Sequence, residues 1–150
     1  MSLLFPYKVV AVHHAVVPLG GRWSRPHPLL TVSAIGPTAT FPMEGRLDTG
    51  ADDTVFPERL ATLIGVELAN APTGQNRTAN NIQVPIRYAQ VSLRITDGLE
   101  RREWPAWVGF SPLIQRPLLG FAGFLQFFTA TFRGDYEEIE LTINRLYPGV

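Results

Sequence analysis

Apolar and polar residues alternate with a period of two through most of the chain, which is the pattern of half-buried strands. Tyr7 to Val17 is rich in valine and predicts one or two short strands, turned by Gly20-Gly21. Arg22 to Pro28 mixes Trp23, two prolines and charged or imidazole side chains, and reads as an irregular surface segment. Leu29 to Ile35 is a further strand, closed by Gly36-Pro37, and Thr38 to Leu47 follows with Phe41, Met43 and Leu47 in partial alternation. Pro57 to Gly65 breaks the pattern: a leading proline, Leu60, Leu63 and Ile64 on one face and a closing glycine predict a helix of about two turns. A polar stretch from Ala69 to Asn81 leads into Ile82 to Ile95. There Val84, Ile86 and Tyr88 alternate, then Val91, Leu93 and Ile95, and the slip between the two sets predicts a bulge or bend.

Thr96-Asp97-Gly98 is a turn, Glu100 to Glu103 a solvated hairpin end, and Trp104 to Phe110 the next strand, with Trp104 and Trp107 assigned to the core. Leu118 and Leu119 read as an apolar strand, Gly120 gives room for a chain crossing, and Phe121, Phe124, Leu125 and Phe128 supply a helical face. Thr129 to Phe132 and Ile139 to Ile143 form a closing hairpin around Arg133-Gly134-Asp135.

Composition narrows the function classes. A chain of 150 residues with 45% hydrophobic content suits one domain with a core. Lys+Arg and Asp+Glu balance at 13 each, so no global field argues for a nucleic acid or membrane partner. The absence of cysteine excludes a thiol nucleophile, a disulfide framework and cysteine-ligated zinc. No stretch is long enough to span a bilayer, and no basic segment precedes an apolar run at the N-terminus, so a cytoplasmic protein is expected. Met1-Ser2-Leu3 is read as a leader without structural weight. His13 and His14 are adjacent in a strand and point to opposite faces; with His27 and no carboxylate cluster they predict no metal site.

The candidate chemistry lies in Leu47-Asp48-Thr49-Gly50-Ala51-Asp52-Asp53-Thr54, one carboxylate set between an apolar strand and a small-residue turn. Taken alone, Asp48 reads more readily as a turn or helix N-cap residue than as a catalytic one. The octet with its flanks resembles the active-site signature of the retropepsins, single-lobed aspartic proteases. Arg116 to Leu125, with Leu118-Leu119-Gly120 at its centre, resembles the second landmark of that family, in the right order some seventy residues on.

The resemblance covers about residues 29 to 132 and implies an all-β closed barrel with one or two short helices. It implies that Asp48 is catalytic, that the Thr49 hydroxyl bonds across to a partner loop, and that Gly50 lets two loops meet. Ala51, Asp52, Asp53, Leu118 and the flap segment Arg77-Thr78-Ala79-Asn80 are the implied substrate contacts. Two departures stand out: the flap tip lacks glycine, and Phe121 replaces the arginine that often follows the family's glycine. Asp48-Thr49-Gly50 occurs once, so a single chain holds half of an aspartic dyad. A symmetric homodimer acting on peptides is therefore expected, with neither metal nor organic cofactor; the alternative is a catalytically silent peptide-binding or dimerisation domain of the same fold.

Overall fold

The computed structural model describes residues 1–77 and 81–150, with all their side chains except those of Asn76 and Arg77. Strand β1 (Leu3–Pro6) opens the chain, and β2 (Lys8–Val16) pairs with β3 (Arg22–His27) across a turn in which Gly20 and Gly21 both have positive φ. β4 (Leu29–Ile35) and β5 (Thr40–Leu47) form the next hairpin. β6 (Val55–Pro57) passes directly into helix α1 (Glu58–Ile64), which stops at Gly65 with φ +81°, a left-handed conformation open to glycine without a steric penalty. β7 (Thr73–Arg77) pairs with β8 (Gln83–Thr96), and β8 with β9 (Arg101–Ser111). After the two-residue β10 (Leu118–Leu119), β11 (Phe128–Arg133) and β12 (Glu138–Ile143) make the closing hairpin, and β1 adds to the far edge of β12.

Seven strands form one sheet in the order β4-β5-β10-β6-β9-β8-β7, and β4 also pairs with β8. That extra pairing closes six strands into a ring and leaves β7 outside it, so the expected closed all-β architecture with a short helix is what forms. β10 lies between β5 and β6, parallel to the first and antiparallel to the second. The loop joining β5 to β6 must therefore cross over β10, which interlocks the Asp48 segment with the Leu118-Leu119 segment.

Alternate residues of each strand face opposite sides of the ring, and the register sorts them. Leu47 beside Leu119 and Phe56 beside Phe110 lie on the core face, and all four are buried. On the other face Leu29, Arg46, Leu118, Val55, Gly109 and Tyr88 are successive register neighbours across six strands. This second row is the site face.

Several sequence expectations are corrected. Arg22 to Pro28 is not irregular, because residues 22–27 are strand β3. Pro26 is tolerated opposite Val9 because a two-stranded pair leaves an outer edge that needs no N–H donor. Leu3 is fully buried beside Leu141, so the first residues do carry structure. Trp104 is buried, whereas Trp107, three residues along the same strand and hence on the opposite face, is 57% exposed. Phe121 to Phe128 form no helical face. Leu125–Phe127 is a single 3₁₀ turn, Phe128 starts β11, and Phe121 is exposed. Phe124 and Phe128 reach the core instead by packing edge-on against Trp104, with ring centroids at 5.3 and 5.2 Å. The phase slip in β8 is not a bulge, since its register with β9 runs unbroken from Arg87 to Thr96. The buried residues instead change face along the strand, from Val84 and Ile86 to Val91, Leu93 and Ile95. Its other edge changes partner there, from β7 at residues 83–87 to β4 at residues 92–94.

Candidate active site

β5 delivers Asp48. The Arg46 N–H donates to the Pro117 carbonyl at 2.9 Å and the Asp48 N–H to the Leu119 carbonyl at 3.1 Å. The parallel ladder thus continues one residue past the strand and keeps Asp48 in phase with Arg46, on the site face. The chain then turns: the Ala51 N–H donates to the Asp48 carbonyl at 3.2 Å, and the Gly50 N–H to Asp48 Oδ1 at 2.8 Å. Asp48 is half-buried, and Thr49 and Gly50 are exposed beside it.

The remainder of the loop is laced to the chain after β10. The Phe121 N–H donates to Ala51 at 2.9 Å, the Ala122 N–H to Asp52 at 2.8 Å and the Thr54 N–H to Ala122 at 3.0 Å. Gly120 sits against the Ala51 and Asp53 carbonyls so closely that any Cβ there would overlap the Asp53 oxygen. Glycine is required at that crossing by space. The Thr54 hydroxyl is fully buried with no hydrogen-bond partner among the described residues. Asp52, whose partner the sequence did not reveal, is exposed and joins the lacing through its main-chain carbonyl.

Of the expected substrate contacts, Ala51 bonds to the Asp48 carbonyl, while Asp52 and Asp53 lie further along the same loop, tied to Ala122 and Tyr88. Leu118 is half-buried on the site face beside Arg46. Thr78, Ala79, Asn80 and the Arg77 side chain lie outside the described residues. Asn81, expected at a left-handed turn position, has φ +61°.

Tyr88 is the site residue that the sequence reading missed. Its hydroxyl donates to Asp53 Oδ2 at 2.7 Å, joining β8 to the loop 35 residues earlier in the chain. Burial, then the hydrogen bond to Asp53, then that carboxylate's charge push the Tyr88 pKa up to about 12, so the phenol keeps its proton at neutral pH. A Cβ at Gly74 of β7 would overlap the Tyr88 ring, so the hairpin base packs directly on this side chain. The available signal was a polar tip in an otherwise apolar alternating row.

Among the described residues no three His, Asp or Glu side chains gather as a metal site, and no helix is long and apolar enough to cross a membrane. His13 and His14 are exposed on β2, and His27 is half-buried at the end of β3.

Comparison with protein-family models gives no match, and neither does comparison with curated proteins. Among solved structures the chain is similar to a retropepsin-like aspartic protease from Rickettsia conorii, at 20% identity and a TM-score of 0.49, over 91% of this chain and 99% of that one.

Proposed function

We propose that the chain is an aspartic endopeptidase that works in the cytoplasm as a homodimer, with Asp48 of each copy facing the other across a two-fold axis. The observation that carries this reading is the placement of Asp48. It is a half-buried carboxylate on the site face, oriented by the Gly50 N–H, with Thr49 and Gly50 exposed beside it where an identical loop can approach. One copy supplies one acid, and hydrolysis by an activated water needs both a base and an acid.

Two carboxylates brought within about 3 Å cannot both ionise easily, so they hold one proton between them. The ionised member takes a proton from water as its oxygen attacks the peptide carbonyl. The protonated member gives its proton to the carbonyl oxygen as charge develops there. Collapse of the tetrahedral intermediate then releases the amine, with a proton returned to its nitrogen. Neither metal nor organic cofactor enters this scheme. The peptide lies between the Asp48 loop and the β7–β8 hairpin, against Ala51, Asp52, Asp53 and Leu118.

Asp48→Asn tests the reading, because the amide keeps the volume and removes the titrating group. Cleavage of a diverse peptide library falls about 10²- to 10⁴-fold while circular dichroism is unchanged. Specific activity of the unmodified protein also falls on dilution, in step with the dimer fraction seen in sedimentation. A purified Asp48→Asn variant cutting near the original rate would reduce Asp48 to a turn residue. Peptides bound by the unmodified protein but left intact at every pH would instead support the silent peptide-binding domain, which the glycine-free segment 77–80 favours.

A further inference from the structure

Arg46 is a charged residue that the proposed chemistry leaves without a task. It lies two residues before Asp48, and the ladder that runs through both N–H groups sets both on the site face. Its register neighbours Leu29 and Leu118 are apolar, and among the described residues no carboxylate pairs with its guanidinium. A half-buried charge costs free energy unless it is paired, so an arginine left in this state beside a candidate catalytic acid points to a ligand. The acid two positions upstream, Glu44, is occupied: Lys8 Nζ donates to its two oxygens at 3.2 and 3.0 Å, and Arg116 lies at 3.9 Å.

Two further chain segments bring basic residues to this corner. Arg116 directly precedes Pro117, whose carbonyl accepts the Arg46 N–H, and His27 directly precedes Pro28, whose carbonyl accepts the Leu47 N–H. Arg25 is two residues before His27 on β3. Burial, then the charges of Arg46, Arg116 and Arg25, hold the His27 pKa below the usual imidazole value. His27 is therefore mostly neutral at pH 7, and the positive charge of the corner comes from the arginines and from Lys8, which is held by Glu44. Asp48 and Glu44 are the carboxylates bordering it.

We propose that Arg46, supported by Arg116 and Arg25, is a specificity-determining residue that forms a cationic subsite beside Asp48 for an aspartate or glutamate side chain of the bound peptide. The inference rests on the endopeptidase reading and names the substrate class for the same site. A guanidinium presents two parallel N–H donors that match a carboxylate, whereas the isosteric amide leaves one of them facing a repelling NH₂ group, and lysine is repelled outright.

The test uses peptide pairs, identified from cleaved library members, that differ only by Glu against Gln or by Asp against Asn at each position flanking the cut. The unmodified protein prefers the acidic member by about tenfold or more in kcat/KM at one position, as one charge-assisted pair allows. The preference shrinks as salt rises, drops below twofold in Arg46→Gln, and turns toward lysine in Arg46→Glu. Circular dichroism and sedimentation accompany each variant; if Arg46→Gln does not fold, Arg116→Gln, whose side chain is 47% exposed, must still weaken the preference. A Glu-to-Gln ratio below twofold in the unmodified protein overturns the subsite. So does a ratio unchanged in Arg46→Gln, or a dimer lost in that variant with the ratio intact, since Arg46 would then pair with the other copy. If no peptide is cut, the endopeptidase reading fails by itself. The same pairs are then compared by fluorescence anisotropy, where tighter binding of the acidic member that depends on Arg46 supports the subsite and equal binding overturns it.

Discussion

The two faces of the ring are built from the same strands and differ in kind. On the core face Leu47, Leu119, Phe56 and Phe110 repeat one solution, apolar side chains packed without a polar atom among them. One residue away in each strand, the site face carries Arg46, Leu118, Val55, Gly109 and Tyr88, of five different types. A single backbone ladder positions both sets, so rigidity gained on one face orients the groups on the other. The difference teaches that stability and chemistry are divided here by residue parity and not by region of the chain. Substitutions on the core face should then move stability with the site's preferences unchanged, and those on the site face should change activity or preference along with whatever stability they cost.

The largest stability effect is expected at Leu119, fully buried and paired with Leu47 at the interlock. Leu119→Ala removes buried methyl groups and leaves a cavity that Gly45, packed against the same side chain, cannot fill. A loss of about 2–5 kcal/mol is expected from denaturant unfolding. Peptide preference in the fraction that remains folded stays the same. A changed Glu-to-Gln ratio in this variant would break the parity division.

Gly109 comes next, and it tests the site face sterically. It pairs with Val55 and with Tyr88, and a Cβ there would overlap the Ile86 side chain and touch the Tyr88 ring. Gly109→Ala is expected to cost about 1–3 kcal/mol through overpacking against Ile86, and to lower kcat/KM if the shift of Ile86 carries Tyr88, two residues along the same face, away from Asp53. Loss of stability with full retention of kcat/KM would show that Tyr88 tolerates the shift.

What could be read from the sequence follows the same division. The core face is periodic, so alternation alone located β4 over Leu29 to Ile35, the two phases of β8 and the closing hairpin. Asp48, Thr49 and Gly50 were legible because they are contiguous. The Tyr88 contact with Asp53 and the placement of Arg46 among apolar neighbours were not, because both depend on register between strands far apart in sequence, and alternation cannot report register. β3 was hidden by Pro26 and its charged neighbours, which resemble a loop until β2 supplies a partner. The Phe121 to Phe128 spacing fits a helical stripe, yet Gly123 at φ +90°, its N–H given to the Gln126 side chain, breaks any helix there. Tertiary contact with Trp104 decided that segment, not local preference.

The smallest expected effect is also the sharpest test of the site face, because Tyr88→Phe deletes one oxygen and leaves the ring packed against Gly74. The lost bond to Asp53 should cost about 1 kcal/mol at pH 7. Its pH dependence has a definite sign. The folded-state pKa is raised from about 10 to about 12, so folding favours the protonated phenol. That stabilisation is present in full below about pH 10 and is lost as pH climbs toward 12. The stability gap between the unmodified protein and Tyr88→Phe is therefore constant from pH 6 to 9 and closes between about pH 10 and 12, as measured by urea unfolding at each pH. Absorbance titration at 295 nm should lose one late-titrating phenol in the variant. If the gap survived undiminished at pH 12, or if kcat/KM at pH 7 were identical in the two proteins, the Tyr88–Asp53 bond would belong to packing alone, and the tie between the β7–β8 hairpin and the Asp48 loop would have to run through the main chain.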